Sequence, residues 1–355
     1  MKKFAILCLC VLFGFCFCKN TQQASAFNAS HDAQIVMETR TGRILYEKNG
    51  DKTMYPASTT KILTAICVIE NADLNETVTV TKESVGVEGS SIYLTEGEKL
   101  SVKELLYGLM LRSGNDAATA LALHVGKTIA SFVQLMNDTA EEIGATHSHF
   151  MNPHGLPDDD HYVTAKDLAL ITSYALKNRD FKEIVSTKKT EISNGDKPYK
   201  RVLINKNKML FECDGATGVK TGYTKKAGRC LVSSCERNNM ELVSVVLNCP
   251  PMFETAKAHF EKYFAEYSLY KLFESDFIVD FIPVENSDRQ CALYIKNDVF
   301  IPLTEEEYKK IEISYDLPDR LPSDIKKDEE VGKIQFMVGN NLIFSEKIYT
   351  INGIN

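Results

Sequence analysis

Apolar residues recur at helical spacing at Ile62, Leu63, Ile66 and Ile69 and predict a buried helix opening near Ser58, with Pro56 just ahead of its start. Val102, Leu105, Leu106, Leu109 and Met110 predict an amphipathic helix that ends at residues 112–115, followed by a second helix through Ala117 to Val125 and a third over 129–143. Thr164 is placed to cap a helix over 165–176, and Phe253, Ala256, Phe260, Phe264 and Tyr267 share one face of a closing helix. The alternation switches to period two at 33–38 and 43–47, around a Thr41-Gly42 turn. It does so again at 228–234 and 242–247, around Asn238-Asn239, with residues 217–223 on the strand just before that hairpin. Residues 152–161 read as a loop from their prolines, glycine and charges. From Asp276 onward, short alternating runs at 277–281, 291–295, 311–315 and 334–338 are the pattern of a small all-β domain.

With 355 residues, two domains are the natural expectation, and 44% hydrophobic with 25% charged residues is ordinary for a globular chain. The formal charge of −7 argues against nucleic acid as a partner. Lys2 and Lys3, an apolar run from Phe4 to Cys18 and the small residues Ala24-Ser25-Ala26 form an export signal, with cleavage expected after Ala26; an uncleaved anchor is the alternative. Phe15 before Cys16 argues against a lipid-attached cysteine. Of ten cysteines, Cys8, Cys10, Cys16 and Cys18 belong to that signal. Cys67, Cys213, Cys230, Cys235, Cys249 and Cys291 lie in apolar stretches and read as small core residues. Cys230 and Cys235 cannot pair within one strand, whereas Cys230 with Cys249 across a hairpin stays open.

One stretch carries chemistry. Ser58 and Lys61 stand three residues apart and share a helix face, with Ser58 near unpaired N–H groups at the positive end of the helix dipole. A hydroxyl, an amine able to take its proton and donors for an oxyanion are thereby combined. Ser-x-x-Lys alone is weak: it also occurs at Ser186/Lys189, Ser268/Lys271 and Ser323/Lys326. Ser58 is singled out by its helical setting and by Ser113-Gly114-Asn115 and Lys220-Thr221-Gly222 downstream. Such ordered triplets mark penicillin-binding proteins and serine β-lactamases.

At Ser58, Ser113 and Lys220 the chain resembles the low-molecular-mass penicillin-binding proteins, the serine-type D-alanyl-D-alanine carboxypeptidases of the cell wall. Residues 106–117, Asn152-Pro153-His154-Gly155-Leu156-Pro157 and 218–224 look like family sequence, and 325–334 resembles the family's C-terminal module. The resemblance implies an α+β fold: a transpeptidase-like catalytic domain, with an antiparallel sheet flanked by helices and an all-helical subdomain, then a small β-sandwich-like domain. The expected division is a signal at 1–26, a catalytic domain at 27–271 and the β domain at 272–355.

The resemblance also implies roles. Ser58 attacks the carbonyl between two D-alanines of a peptidoglycan stem peptide. Lys61, kept neutral by burial and by the charge of Lys220, takes the proton. Acylation is then expected to rise through a lysine-dependent ionisation. The backbone N–H groups of Ser58 and Tyr223 form the oxyanion hole. Ser113 relays the proton to the leaving D-alanine, and Asn115 orients Lys61 and the substrate amide. Lys220 and Thr221 hold the terminal carboxylate, and Gly222 lets substrate backbone lie close. β-Lactams trap Ser58, and no cofactor or metal is needed. Two departures stand out: Tyr223 replaces a histidine common among relatives, and residues 348–355 form no amphipathic membrane-binding helix, so membrane attachment is not assigned.

Plainer readings exist for each residue. Ser58 with Lys61 could be a helix cap beside a solvated lysine, Ser113 and Asn115 turn caps, and Lys220-Thr221-Gly222 an exposed strand end. His147, His149, His154 and His161 with Asp158 to Asp160 match no helical zinc spacing and read as a polar loop. The rival functions are a β-lactamase and a non-catalytic penicillin sensor or wall-binding module. The class A loop glutamate of a Glu-x-x-Leu-Asn run is missing, and no spanning helix or signalling domain is visible. Transpeptidase or endopeptidase activity differs only in acyl acceptor or bond presented.

Overall fold

The computed structural model describes residues 32–195 and 197–353, so the expected export signal lies outside the described residues. In chain order the first elements are β1 (Ala33–Glu38), β2 (Ile44–Lys48), α1 (Lys61–Asn71), β3 (Thr77–Thr79), β4 (Lys99–Ser101), α2 (Val102–Arg112), α3 (Asn115–Gly126) and α4 (Ile129–Ile143). They are followed by α5 (Ala165–Ala175), α6 (Arg179–Ser186), β5 (Lys189–Ile192), β6 (Arg201–Ile204), α7 (Met209–Glu212), β7 (Ala216–Thr224), β8 (Gly228–Arg237), β9 (Met240–Leu247) and α8 (Met252–Glu266).

A five-stranded sheet in the order β2-β1-β9-β8-β7 organises this part, and every neighbouring pair is antiparallel. Its central strands are buried on both faces, which is why β9 reads as a nearly continuous apolar run. Val243, Val245 and Leu247 join the core shared with α1 and α5, while Leu242 and Val246 face Ala256 and Phe260 of α8. The turn between β8 and β9 is Asn238-Asn239, with φ of 50° and 63° at the two positions. Two left-handed residues match the strand twist, and asparagine tolerates that conformation. Helices α2, α3 and α4 pack on α1 away from the sheet. Leu105, Leu106 and Leu109 of α2 are fully buried there, each contributing about 1.5–3 kcal/mol through apolar burial. Ser101 starts α2 with a capping box to Glu104, and Thr164 Oγ1 accepts from Asp167 N to start α5.

The remaining elements are β10 (Ser268–Phe273), β11 (Phe277–Pro283), β12 (Gln290–Ile295), β13 (Val299–Leu303), α9 (Glu305–Lys310), β14 (Ile311–Asp316), β15 (Glu330–Val338) and β16 (Asn341–Thr350). A sheet ordered β11-β12-β16-β15-β14 and the pair β10-β13 enclose one core, in which Ile301 and Leu303 meet Leu293, Ile334, Phe336 and Ile348. The expected domain boundary at 271/272 falls within β10, whose backbone pairs with β13. Arg43 on the catalytic side forms an ion pair with Glu307 at 2.5 Å and also donates to the Pro302 carbonyl.

Local differences from the sequence reading have physical reasons. The helix does not open at Ser58: a single 3-10 turn, Ala57–Thr60, precedes α1, and Ala57 at its start has a φ of 50°, outside the right-handed helical region. Helix α6 has no counterpart in the sequence reading, although Asn178 caps it by accepting from Asp180 N and Phe181 N; its eight residues are too few to establish a period. The C-terminal β domain carries one short helix, α9, on a capping box formed by Thr304 and Glu307. The six cysteines are free and buried, so the pairing left open between Cys230 and Cys249 is not made. Burial pushes the Cys67 and Cys230 thiols up to about 12.

Candidate active site

The outer edge of β7 runs against the 3-10 turn that carries Ser58. Contact is closest at Gly222, where a Cβ would lie 3.1 Å from the Ser58 backbone nitrogen and 3.2 Å from the Pro56 carbonyl oxygen. A side chain here would push strand and turn apart by a few tenths of an ångström, so the close approach of the two elements favours glycine independently of substrate clearance. Opposite this edge stands the corner between α2 and α3. Ser113 ends α2 in the left-handed region, with φ of 63°, and Asn115 is the first residue of α3 rather than part of the turn.

Lys61 is fully buried at the centre. Its Nζ lies 3.1 Å from Ser58 Oγ, 2.7 Å from Asn115 Oδ1 and 2.6 Å from the His154 carbonyl oxygen. The Asn115 amide is oriented unambiguously because its Nδ2 donates to the Glu88 carbonyl. A neutral amine has two N–H groups and one lone pair. Two acceptor-only oxygens take both N–H groups, which leaves the lone pair facing the Ser58 hydroxyl. Burial, then the charges of Lys220 and Lys206, hold Lys61 well below the usual lysine range against the opposing pull of Asp116.

Lys220 is also buried, donates to the Thr221 carbonyl at 2.9 Å, and is pushed down to about 7 by burial and then by Lys206. Ser113 Oγ is buried and makes no hydrogen bond among the described residues, so its hydroxyl is uncommitted. A cleft of about 360 Å³ brings together Ser58, Ser113, Thr221, Gly222 and Tyr223, with Ser90, Lys206, Arg229, Met252 and Phe253. The structure thus gathers Ser58, Lys61, Ser113, Asn115, Lys220, Thr221, Gly222 and Tyr223 around one opening, with Tyr223 largely exposed at its rim.

Several contributors carry no mark in the sequence. Lys206 donates to Ser90 Oγ at 3.2 Å and is lowered by burial and by Arg112. Asp116 is buried and accepts from Ser91 Oγ, Ile92 N and Leu94 N, which pins the loop behind Asn115. Gly155, in the 152–157 loop, fits against the Ala57 carbonyl where any Cβ would overlap it. His161 is buried with its Nε2 3.1 Å from Thr60 Oγ1, and burial lowers it to about 4. His154 is lowered to about 3 by burial and by Lys61. Among these, Asp116 within 106–117 and the 152–157 loop have a sequence signal, their likeness to family sequence, whereas Lys206 has none.

The chain is similar to known proteins. The profile of the D-alanyl-D-alanine carboxypeptidase family matches residues 19–250, and that of the penicillin-binding protein 5 C-terminal domain matches 267–355. The D-alanyl-D-alanine carboxypeptidase DacF of Bacillus subtilis is 30% identical over 86% of this chain and 81% of its own length. Penicillin-binding protein 5 of Haemophilus influenzae superposes with a TM-score of 0.79 at 27% identity, covering 90% of this chain and 96% of that one. A DD-transpeptidase of Streptomyces K15, solved as a serine-to-alanine mutant, superposes with a TM-score of 0.62 at 34% identity, covering 66% of this chain and 97% of that one.

Proposed function

The chain belongs to the D-alanyl-D-alanine carboxypeptidase family, and we propose that it removes the terminal D-alanine from peptidoglycan stem peptides, outside the cytoplasm, with Ser58 as nucleophile. The observation that carries this assignment is the hydrogen-bond arrangement of Lys61. With Asn115 and His154 accepting its two N–H groups, the neutral amine is left one task, which is to accept the Ser58 proton.

The reaction then runs in two halves. Ser58 Oγ adds to the carbonyl of the penultimate D-alanine as its proton passes to Lys61. The oxyanion is met by the backbone N–H groups of Ser58 and Tyr223, a placement supported by the approach of Gly222 to the Ser58 nitrogen. The tetrahedral adduct collapses, the C–N bond breaks, and the leaving amine takes a proton through the uncommitted Ser113 hydroxyl. Lys220 and Thr221, with Lys206 behind them, hold the departing carboxylate. Water then attacks the acyl-serine as Lys61 takes its proton, the ester C–O bond breaks, and Lys61 returns the proton to the departing Ser58 Oγ. A β-lactam presents the same acyl group and carboxylate, and its ring-opened ester stays on Ser58.

The β-lactamase reading is less well supported. Among the described residues no carboxylate lines the cleft to activate water rapidly, and the Bacillus subtilis relative is a D-alanyl-D-alanine carboxypeptidase. The test is release of D-alanine from an acylated peptide ending in D-Ala-D-Ala. The wild-type chain should release it, and Ser58→Ala should reduce the rate by at least about 10³-fold. Equal release by both would remove Ser58 from the mechanism.

A further inference from the structure

The proposed mechanism leaves one cation of the cleft without a task. Arg229, the second residue of β8, lies directly across from Tyr223 in the β7–β8 register, so the two side chains share a face. Its guanidinium carbon sits 5.9 Å from the Tyr223 ring centroid, and both residues line the cleft with Met252 and Phe253. No aspartate or glutamate lines that opening among the described residues. The arginine therefore stands at the end of an apolar wall, formed by the tyrosine ring, the methionine and the phenylalanine, with no acidic lining residue to neutralise it.

The direction of the bound peptide says which part of a substrate reaches it. Ser58 lies against Gly222. Lys220 and Thr221, assigned to the leaving carboxylate, precede Gly222 on β7, and Tyr223 follows it. The acyl half must then run toward Tyr223, on the far side of the nucleophile. From Lys220 to Tyr223 an extended strand advances about 10 Å, which spans a dipeptide and reaches the side chain of the residue before the penultimate D-alanine. An apolar wall closed by a guanidinium suits an aliphatic arm that ends in a free carboxylate.

Resting on the carboxypeptidase reading, we propose that Arg229 is a specificity-determining residue that selects stem peptides whose third residue from the C-terminus carries a free side-chain carboxylate, over the amidated or amino-bearing forms. The guanidinium meets the carboxylate while Tyr223 and Phe253 cover its methylene stem. An exposed charge pair of this kind is worth up to about 1 kcal/mol, which is about fivefold in kcat/KM.

The test uses three acyl-X-D-Ala-D-Ala peptides in which X is 2-aminopimelate, its side-chain carboxamide, or lysine. Release of D-alanine is measured for the wild-type chain, Arg229→Gln and Arg229→Lys, and a circular-dichroism melt of each variant reports folding. The wild-type chain should prefer the carboxylate over the carboxamide by about fivefold and disfavour lysine. Arg229→Gln should bring the carboxylate-to-carboxamide ratio to about one, and Arg229→Lys should keep part of the preference. Equal wild-type rates on the carboxylate and carboxamide, or an Arg229→Gln ratio equal to the wild-type one, overturns the proposal while leaving the carboxypeptidase reading intact. No release from any peptide overturns that reading and this proposal together.

Discussion

Gly155 rests so closely on Ala57 that a Cβ on the glycine would overlap the alanine carbonyl oxygen and lie 2.9 Å from Thr60 Oγ1. The loop that supplies the His154 carbonyl to Lys61 is thereby keyed into the turn that carries Ser58. With φ of +85°, Gly155 also occupies a region that side chains avoid. Gly155→Ala should cost at least about 2 kcal/mol of stability and abolish acylation. Gly86→Ala is the control: its φ is +73°, but nothing lies within 4 Å of its Cβ position. It should cost only about 1 kcal/mol and acylate normally. Thermal melts and penicillin labelling of both variants check the contrast.

Two lysines of opposite required charge should give a bell-shaped pH profile. Lys61 must be neutral, so activity rises as it loses its proton, and its range is held far down by burial and by its cationic neighbours. Lys220 must be charged, so activity falls as it loses its proton at about 7 in the free enzyme. The quantity to measure is kcat/KM, which reports free-enzyme ionisations. Lys206 lowers both groups, so Lys206→Gln should move both limbs to higher pH. Limbs that stay in place would remove Lys206 from the electrostatics of the cleft.

Asn115 accepts from Lys61 at 2.7 Å without bringing a charge. Asn115→Asp puts a carboxylate at that distance and favours the protonated lysine. Acylation at neutral pH should fall by at least about tenfold, the equivalent of one pKa unit, and the acid limb of the kcat/KM profile should move to higher pH. Loss of rate with the acid limb left in place would mean that Asn115 serves only the substrate.

The Arg43–Glu307 pair has side chains only 11% and 21% exposed, and the Arg43 guanidinium also faces the Tyr267 ring at 5.3 Å. Arg43→Ala removes the guanidinium from the Pro302 carbonyl and from a Glu307 carboxylate that keeps only the Thr304 N–H, at a cost of about 2 kcal/mol. Protease cleavage between Tyr267 and Asp276 should accelerate, while D-alanine release from a soluble peptide is retained. Loss of that release in a folded variant would tie the C-terminal residues to catalysis.

Much of this architecture is legible in the sequence because it follows local periods. Ile62, Leu63 and Ile66 mark α1, the apolar stripe over 102–110 marks α2, and Asn238-Asn239 marks the β8–β9 turn with both residues left-handed. The Ser58/Lys61 pair and the two triplets, Ser113-Gly114-Asn115 and Lys220-Thr221-Gly222, hold most of the residues that converge on the cleft. What stays hidden depends on contacts distant in sequence. Nothing near Lys206 in the chain marks it as a neighbour of Ser58, and only tertiary packing brings it to the cleft. The hold of Asp116 on the 91–94 amides and the fit of Gly155 against Ala57 are likewise set by tertiary packing. Strand β16 escapes the sequence reading because its polar and half-buried positions follow no clean alternation.

The central claim is that Lys61 activates Ser58 for acyl transfer. Its most direct test is mass spectrometry of the chain after brief incubation with benzylpenicillin, with peptide mapping and with Lys61→Ala alongside. One penicilloyl group on the peptide that holds Ser58, persistent for hours in the wild-type chain and missing from folded Lys61→Ala, is the predicted result. An adduct on any other residue, or equal labelling of Lys61→Ala, would contradict it.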